Sequence, residues 1–228
     1  MVRSQLAQTI KAEIEHYLNI PYAINKLKNG HIVEEVPYGA KGNWLQIKNI
    51  TKKITKKEKI DLSKPSSQQL YNFRKKHKIG IDCSGLAYHL LDKTYQLLFN
   101  QSIKFKLVGT NNKKGVRRLS ANMLTNPINS MPILKYENIQ TADLIRFNQA
   151  KHVIFIVEKK DNIITYVHNS RYTQKRGVHY GQIKITNPQK SLNFQQWSDT
   201  HLNGQPYSQF FFPNSGDGIF RLKCLTNL

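Results

Sequence analysis

The chain has 228 residues and 39% apolar content, enough for one large domain with a real core. Its 35 Lys and Arg against 14 Asp and Glu give a net charge of +21, which favours polyanionic partners but speaks to association rather than to fold. No stretch approaches the ~20 apolar residues of a membrane span, and two cysteines, Cys83 and Cys224, exclude a disulfide framework and a four-cysteine zinc site.

Residues 4–19 predict a helix with Leu6, Ile10, Ile14, Tyr17 and Leu18 on one side, ended by Pro21. Residues 24–62, with the run TKKITKKEK, are expected to be an irregular, lysine-rich insertion on the surface of the core. From Pro65, PSSQQLYNFRKKH opens with a serine cap signal and predicts a short helix. A longer helix follows over 83–99, with Leu86, Leu90, Leu91, Tyr95 and Leu98 as its apolar stripe, and GVRRLSANMLTN predicts a short helix or turn. From residue 139 the period changes. DLIRFN (143–148), HVIFIVEK (152–159), IITYVHN (163–169) and GQIKIT (181–186) are short, β-branched and aromatic, with a turn at Lys160-Asp161-Asn162. A C-terminal extension, 187–228, predicts a helix around LNFQQWSD and a last strand, GIFRLKCL. Helices first and an antiparallel meander afterwards predict one α+β domain over 1–228, with the Cys83 helix packed on the sheet.

The stretch GIDCSGLAYHLL, residues 80–91, places a rare thiol where a helix begins. A cysteine attacks as thiolate, and the unpaired amides of a helix N-terminus favour that anion. Asp82 fits the N-cap, Cys83 the first turn, and Gly85 permits a close neighbouring backbone. The same amides can donate to an oxyanion. His152 opens one strand and His168 lies near the end of the next. A hairpin turning near 161 sets position 152 opposite about 170, within reach of His168. The pair reads as a base with its orienting partner, as zinc donors together with Cys83, or as ordinary surface histidines. His89 reads as a packing residue, His179 as surface or substrate-side, and Cys224 as a small buried residue. Arg117-Arg118 and Arg171-Tyr172 read either as forks for an anionic substrate or as a solvated basic face.

IDCSGL, TADLIRFN, HVIFIV and YVHNS, in that order, resemble the motif set of the NlpC/P60 family of papain-like cysteine peptidases, over roughly residues 4–186. The resemblance implies a papain-like core, Cys83 as nucleophile, His152 as general base and His168 as the orienting third residue. It implies no cofactor and no metal, and substrates among the peptides of bacterial cell-wall peptidoglycan. The family's Pro-Tyr after the first helix supplies a tyrosine that helps bind the oxyanion. Pro21-Tyr22 follows the helix directly, whereas Pro37-Tyr38 lies closer in sequence to Cys83. Asp82, Ser84, Tyr38 and Arg171 are expected around the substrate, and Asp143 in a structural turn. The chain departs from the pattern in the long stretch between Tyr22 and Asp82, in TADL for PGDL, and in Ile154-Phe155 for Gly-Ile. A different class of function, a papain-like scaffold that binds a polyanion such as nucleic acid without catalysis, suits the charge. It lacks the strand of interleaved aromatic and basic residues typical of RNA-stacking sheets. The N-terminus has no apolar run of the signal-peptide kind, which gives the cytoplasm as the default expectation, with the cell envelope as the alternative.

Overall fold

Residues 152–157 are buried without a gap, because they are covered from two sides. Val153, Phe155 and Val157 belong to one apolar layer, Ile154 and Ile156 to another. The computed structural model describes residues 3–110 and 115–226. Its helices are α1 (Arg3–Glu15), α2 (Trp44–Glu58), α3 (Ser67–Lys76), α4 (Cys83–Phe99) and α5 (Ala121–Thr125). A small hairpin joins β1 (Lys26–Lys28) to β2 (His31–Glu34). The main sheet contains β3 (Ser130–Pro132), β4 (Leu144–Phe147), β5 (His152–Lys160), β6 (Ile163–Asn169), β7 (Val178–Lys184), β8 (Gln196–Trp197) and β9 (Gly218–Leu222). Its order is β3-β9-β4-β5-β6-β7-β8, antiparallel throughout. The class is α+β, as the sequence predicts.

One face of the sheet packs Val153, Phe155, Val167 and Val178 against Ile10 and Ile14 of α1 and Leu86 and Leu90 of α4. The other packs Ile145, Ile154, Ile164 and Ile183 against Leu192, Tyr207 and Phe211 of the C-terminal segment. The extension is therefore part of the fold. It roofs the second face, and β9 threads between β3 and β4.

Several expectations are corrected. The segment 24–62 is not irregular: it holds the hairpin and the fifteen-residue α2. A capping box between Asn43 and Gln46 starts that helix. Ile47 is buried in the main core with Ile50 and Ile54 packed beside it, while Lys48, Lys52, Lys53, Lys56 and Lys57 face solvent. The predicted helix at LNFQQWSD is a single turn, Leu192–Phe194, followed by β8. The Gln195 side chain accepts from Thr186 N at 2.8 Å and donates to Asn187 O at 2.7 Å, and Trp197 pairs with Ile183. These partners draw the segment onto the sheet edge. The last strand ends at Leu222, where Lys223 N turns to Asn129 O, so Cys224 sits half-buried in a terminal turn. No helix among the described residues is long and apolar enough to cross a membrane.

Candidate active site

The start of α4 is built by Asp82. Its backbone is extended and its carboxylate accepts from Gly85 N at 2.7 Å, the N-cap geometry, which leaves Cys83 as the first helical residue. Asp82 N donates to Ala40 O at 3.0 Å. A Cβ on Gly85 would stand 2.8 Å from that same carbonyl, so a glycine is needed where the two backbones meet. Lys41, also buried, donates to both carboxylate oxygens of Asp82 and to Ser84 Oγ, and Ser84 Oγ donates to Leu119 O at 3.1 Å. The two side chains flanking Cys83 are thus spent on a buried lysine. Neither lines the cavity beside the site, where the sequence expectation put them.

Tyr22 reaches the site through backbone pairing. Ile81 N donates to Pro21 O at 3.1 Å, and Ala23 N lies 3.5 Å from Ile81 O. A Cβ on Gly80 would fall 2.3 Å from Pro21 O, so this approach also requires glycine. Asn169, the residue after His168, donates to Ile20 O and Ile81 O at 3.2 and 2.8 Å and ties the same strip to β6. Burial first, then the charges of Cys83 and Asp82, push the Tyr22 hydroxyl above the ordinary tyrosine range and keep it an O–H donor. Tyr38 sits instead in the turn Pro37–Ala40 with φ 55°, its ring over Gly42, and does not line the cavity.

The histidines come together across three strands. Phe155 pairs with Val167 and His168 with His179, and the alternation turns His152, His168 and His179 toward the C-terminal roof. His152 Nε2 lies 2.9 Å from His168 Nδ1. His168 Nε2 lies 3.0 Å from both Asp199 Oδ2 and His179 Nε2, and His179 Nε2 is 3.3 Å from Asp199 Oδ1. Tyr166 donates its hydroxyl to Asp199 Oδ2 at 2.6 Å, and His179 Nδ1 donates to Gly177 O at 2.7 Å. His179 is therefore buried inside the cluster, not at the surface as its place in the sequence suggests. Cys83 meets this assembly through the chain neighbour of His152: the Val153 amide is close enough to its sulfur to favour the thiolate.

Burial sets the resting charges. It pushes the Cys83 thiol up to about 11, with Asp82 adding to the rise and Lys41 and the Val153 N–H opposing it. This overrides the helix-terminus effect expected from sequence. Burial also holds His152 well below its ordinary value, helped by His168 and His179, and lowers His168 against the pull of Asp199. Burial works against charge on Asp199 too, but the hydrogen bonds from His168 and His179 together outweigh it and keep the carboxyl well below the usual carboxylate range. The site at rest is a thiol, two neutral imidazoles and a carboxylate.

A cavity of about 440 Å³ opens beside it, lined by Tyr22, His152, Arg171, Lys151, Tyr207 and Phe210 among others. Cys83 does not itself line this cavity. Tyr22 and Tyr207, whose hydroxyls feel the charge of Cys83, do. Arg171 lies over the Tyr172 ring at 4.8 Å and donates to its hydroxyl at 2.6 Å. Asp143 accepts from Gln140 N at 2.9 Å and pairs with Arg221, a turn-holding role.

The sequence reading missed Lys41, Tyr207 and Asp199. Lys41 and Asp199 sit in loops with no period and far from their partners along the chain, so no local pattern marked them. His168, His179 and Asp199 place donor atoms within 4.8 Å of one another, a set able to hold a cation. Those atoms already bond one another, and none of the three residues lines the cavity. No protein-family model, no curated protein and no solved structure matches this chain.

Proposed function

We propose that the chain is a cysteine hydrolase of the NlpC/P60 kind, with a papain-like core, acting on an amide bond of a wall-type peptide. The observation that carries the reading is the junction of α4 with β5. There the helix-start cysteine lies beside the Val153 amide, directly after a histidine whose Nε2 rests on a second histidine. Cys83 Sγ attacks the carbonyl carbon while His152 takes the thiol proton. Because burial keeps the thiol and the imidazole neutral, proton transfer accompanies attack rather than preceding it. The carbonyl oxygen becomes an oxyanion, for which the Tyr22 hydroxyl and the Cys83 N–H at the start of α4 are donors. The C–N bond breaks as His152 returns the proton to the leaving amine. Water, deprotonated by His152, then releases the acid from Cys83. Lys151 and Arg171 line the cavity with no carboxylate among its other lining residues, which suits a substrate bearing carboxylates.

The test is incubation of the purified chain with soluble peptidoglycan stem peptides and mass analysis of the products. Cleavage is expected in the native protein and absent in Cys83→Ala and His152→Ala. Equal cleavage by the native chain and Cys83→Ala overturns the reading.

A further inference from the structure

In the buried cluster, groups that only accept hydrogen bonds fix where the histidine protons sit. His179 spends its Nδ1 proton on Gly177 O, an atom that cannot donate. Asp199 is a carboxylate, accepting from Tyr166, and its contact with His168 Nε2 at 3.0 Å therefore needs the His168 proton on that nitrogen. The same Nε2–H also faces the Nε2 of His179 at 3.0 Å, whose own contact with the carboxylate, at Asp199 Oδ1, is the longer of the two at 3.3 Å. A neutral His168 protonated at Nε2 has a bare Nδ1. The 2.9 Å contact with His152 is then a bond donated by His152 Nε2–H, and the free basic nitrogen of His152 is Nδ1.

We infer that Asp199, with His179 beside it, is a positioning residue that locks His168 as an acceptor and so presents His152 as a base through Nδ1. Its consequence for activity rests on the hydrolase reading above, whereas the tautomer chain stands on these contacts alone. Asn at position 199 keeps the acceptor that matters here: its carbonyl accepts from Tyr166 and His168, while the second oxygen, which faces His179 Nε2 at 3.3 Å, is lost. Leu keeps the branched outline of the side chain and removes every acceptor.

The experiment is long-range nitrogen–proton NMR of the histidine rings in the native chain, Asp199→Asn and Asp199→Leu. It is paired with the iodoacetamide rate of Cys83 relative to Cys224 in each. Expected are Nε2–H forms of both His152 and His168 in the native and Asn proteins. In Asp199→Leu the single His168 tautomer is lost, and the Cys83-to-Cys224 rate ratio falls about tenfold or more, a share of general-base assistance. A native His168 protonated at Nδ1 overturns the inference. So does a native protein whose elemental analysis shows a metal on these nitrogens, or a folded Leu variant with both tautomers and the rate ratio unchanged. The native NMR result decides even if the Leu variant fails to fold. If the tautomers are as expected but His152→Ala leaves Cys83 reactivity untouched, the positioning chain stands and the hydrolase reading fails.

Discussion

Lys41 carries more of the site than its anonymity in the sequence suggests. Its ammonium serves both oxygens of Asp82 and the hydroxyl of Ser84, with side-chain exposures of 5% for Lys41 and 13% for Asp82. Buried pairs of this kind contribute little net stability as a pair, but removing one partner strands the other charge, at about 3–5 kcal/mol. Lys41→Met is therefore expected to lose stability of that order in urea unfolding, and a loss under about 1 kcal/mol would show that Asp82 finds water instead. The same variant has a second readout. Lys41 is one of the groups that lower the Cys83 thiol, so its removal shifts alkylation of Cys83 to higher pH than in the native protein. Movement in the other direction would show that the lysine does not act electrostatically on the sulfur.

At the scale of elements, the parts legible in the sequence are those with a strong period or a local cap. The strand read over 152–159 forms and runs one residue further, and the helix 83–99 emerges as read, because alternation and the Asp82 cap are local signals. The helix α2 was hidden by its lysines, although its Asn43–Gln46 capping box and its spacing of Trp44, Ile47, Ile50 and Ile54 were present in the chain. Half of the site was legible for the same reason. Cys83, His152 and His168 sit on periodic elements, whereas Asp199 is placed only by long-range bonds such as Ser198 N to Gln182 O and Tyr207 N to its own carbonyl. The junction of α4 with the Ala40 turn gives an element-scale expectation. Ala is a better helix former than Gly by about 1 kcal/mol, so propensity alone favours Gly85→Ala. The Cβ would meet a backbone carbonyl at 2.8 Å, and overpacking of this kind costs about 1–3 kcal/mol. Net destabilisation of up to about 2 kcal/mol is expected in urea. A stabilised variant would mean that the 37–40 turn yields to the helix.

For the whole molecule, the burial of neutral histidines in a chain of charge +21 couples stability to pH. His89, His152 and His168 are all held below their ordinary value, in each case chiefly by burial. The unfolded chain takes up protons at these positions as pH falls through about 6.5, and the folded chain does not. Their contribution is thus full above that pH and is lost progressively below it, by about 1.4 kcal/mol per pH unit for each histidine still withheld from protonation. Asp143 and Asp217, raised by burial, act with the opposite sign, but only close to the carboxylate range. The interval from pH 7.5 to 5.5 therefore belongs to the histidines. Each proton bound on unfolding also joins an already positive chain, and an expanded chain bears that repulsion more easily than the folded one. The urea midpoint is expected to drop steadily across the interval, and His168→Gln to flatten the drop. A native midpoint that stays level from pH 7.5 to 5.5 would mean that the cluster accepts protons in place, and that Asp199 stabilises imidazolium rather than a neutral tautomer.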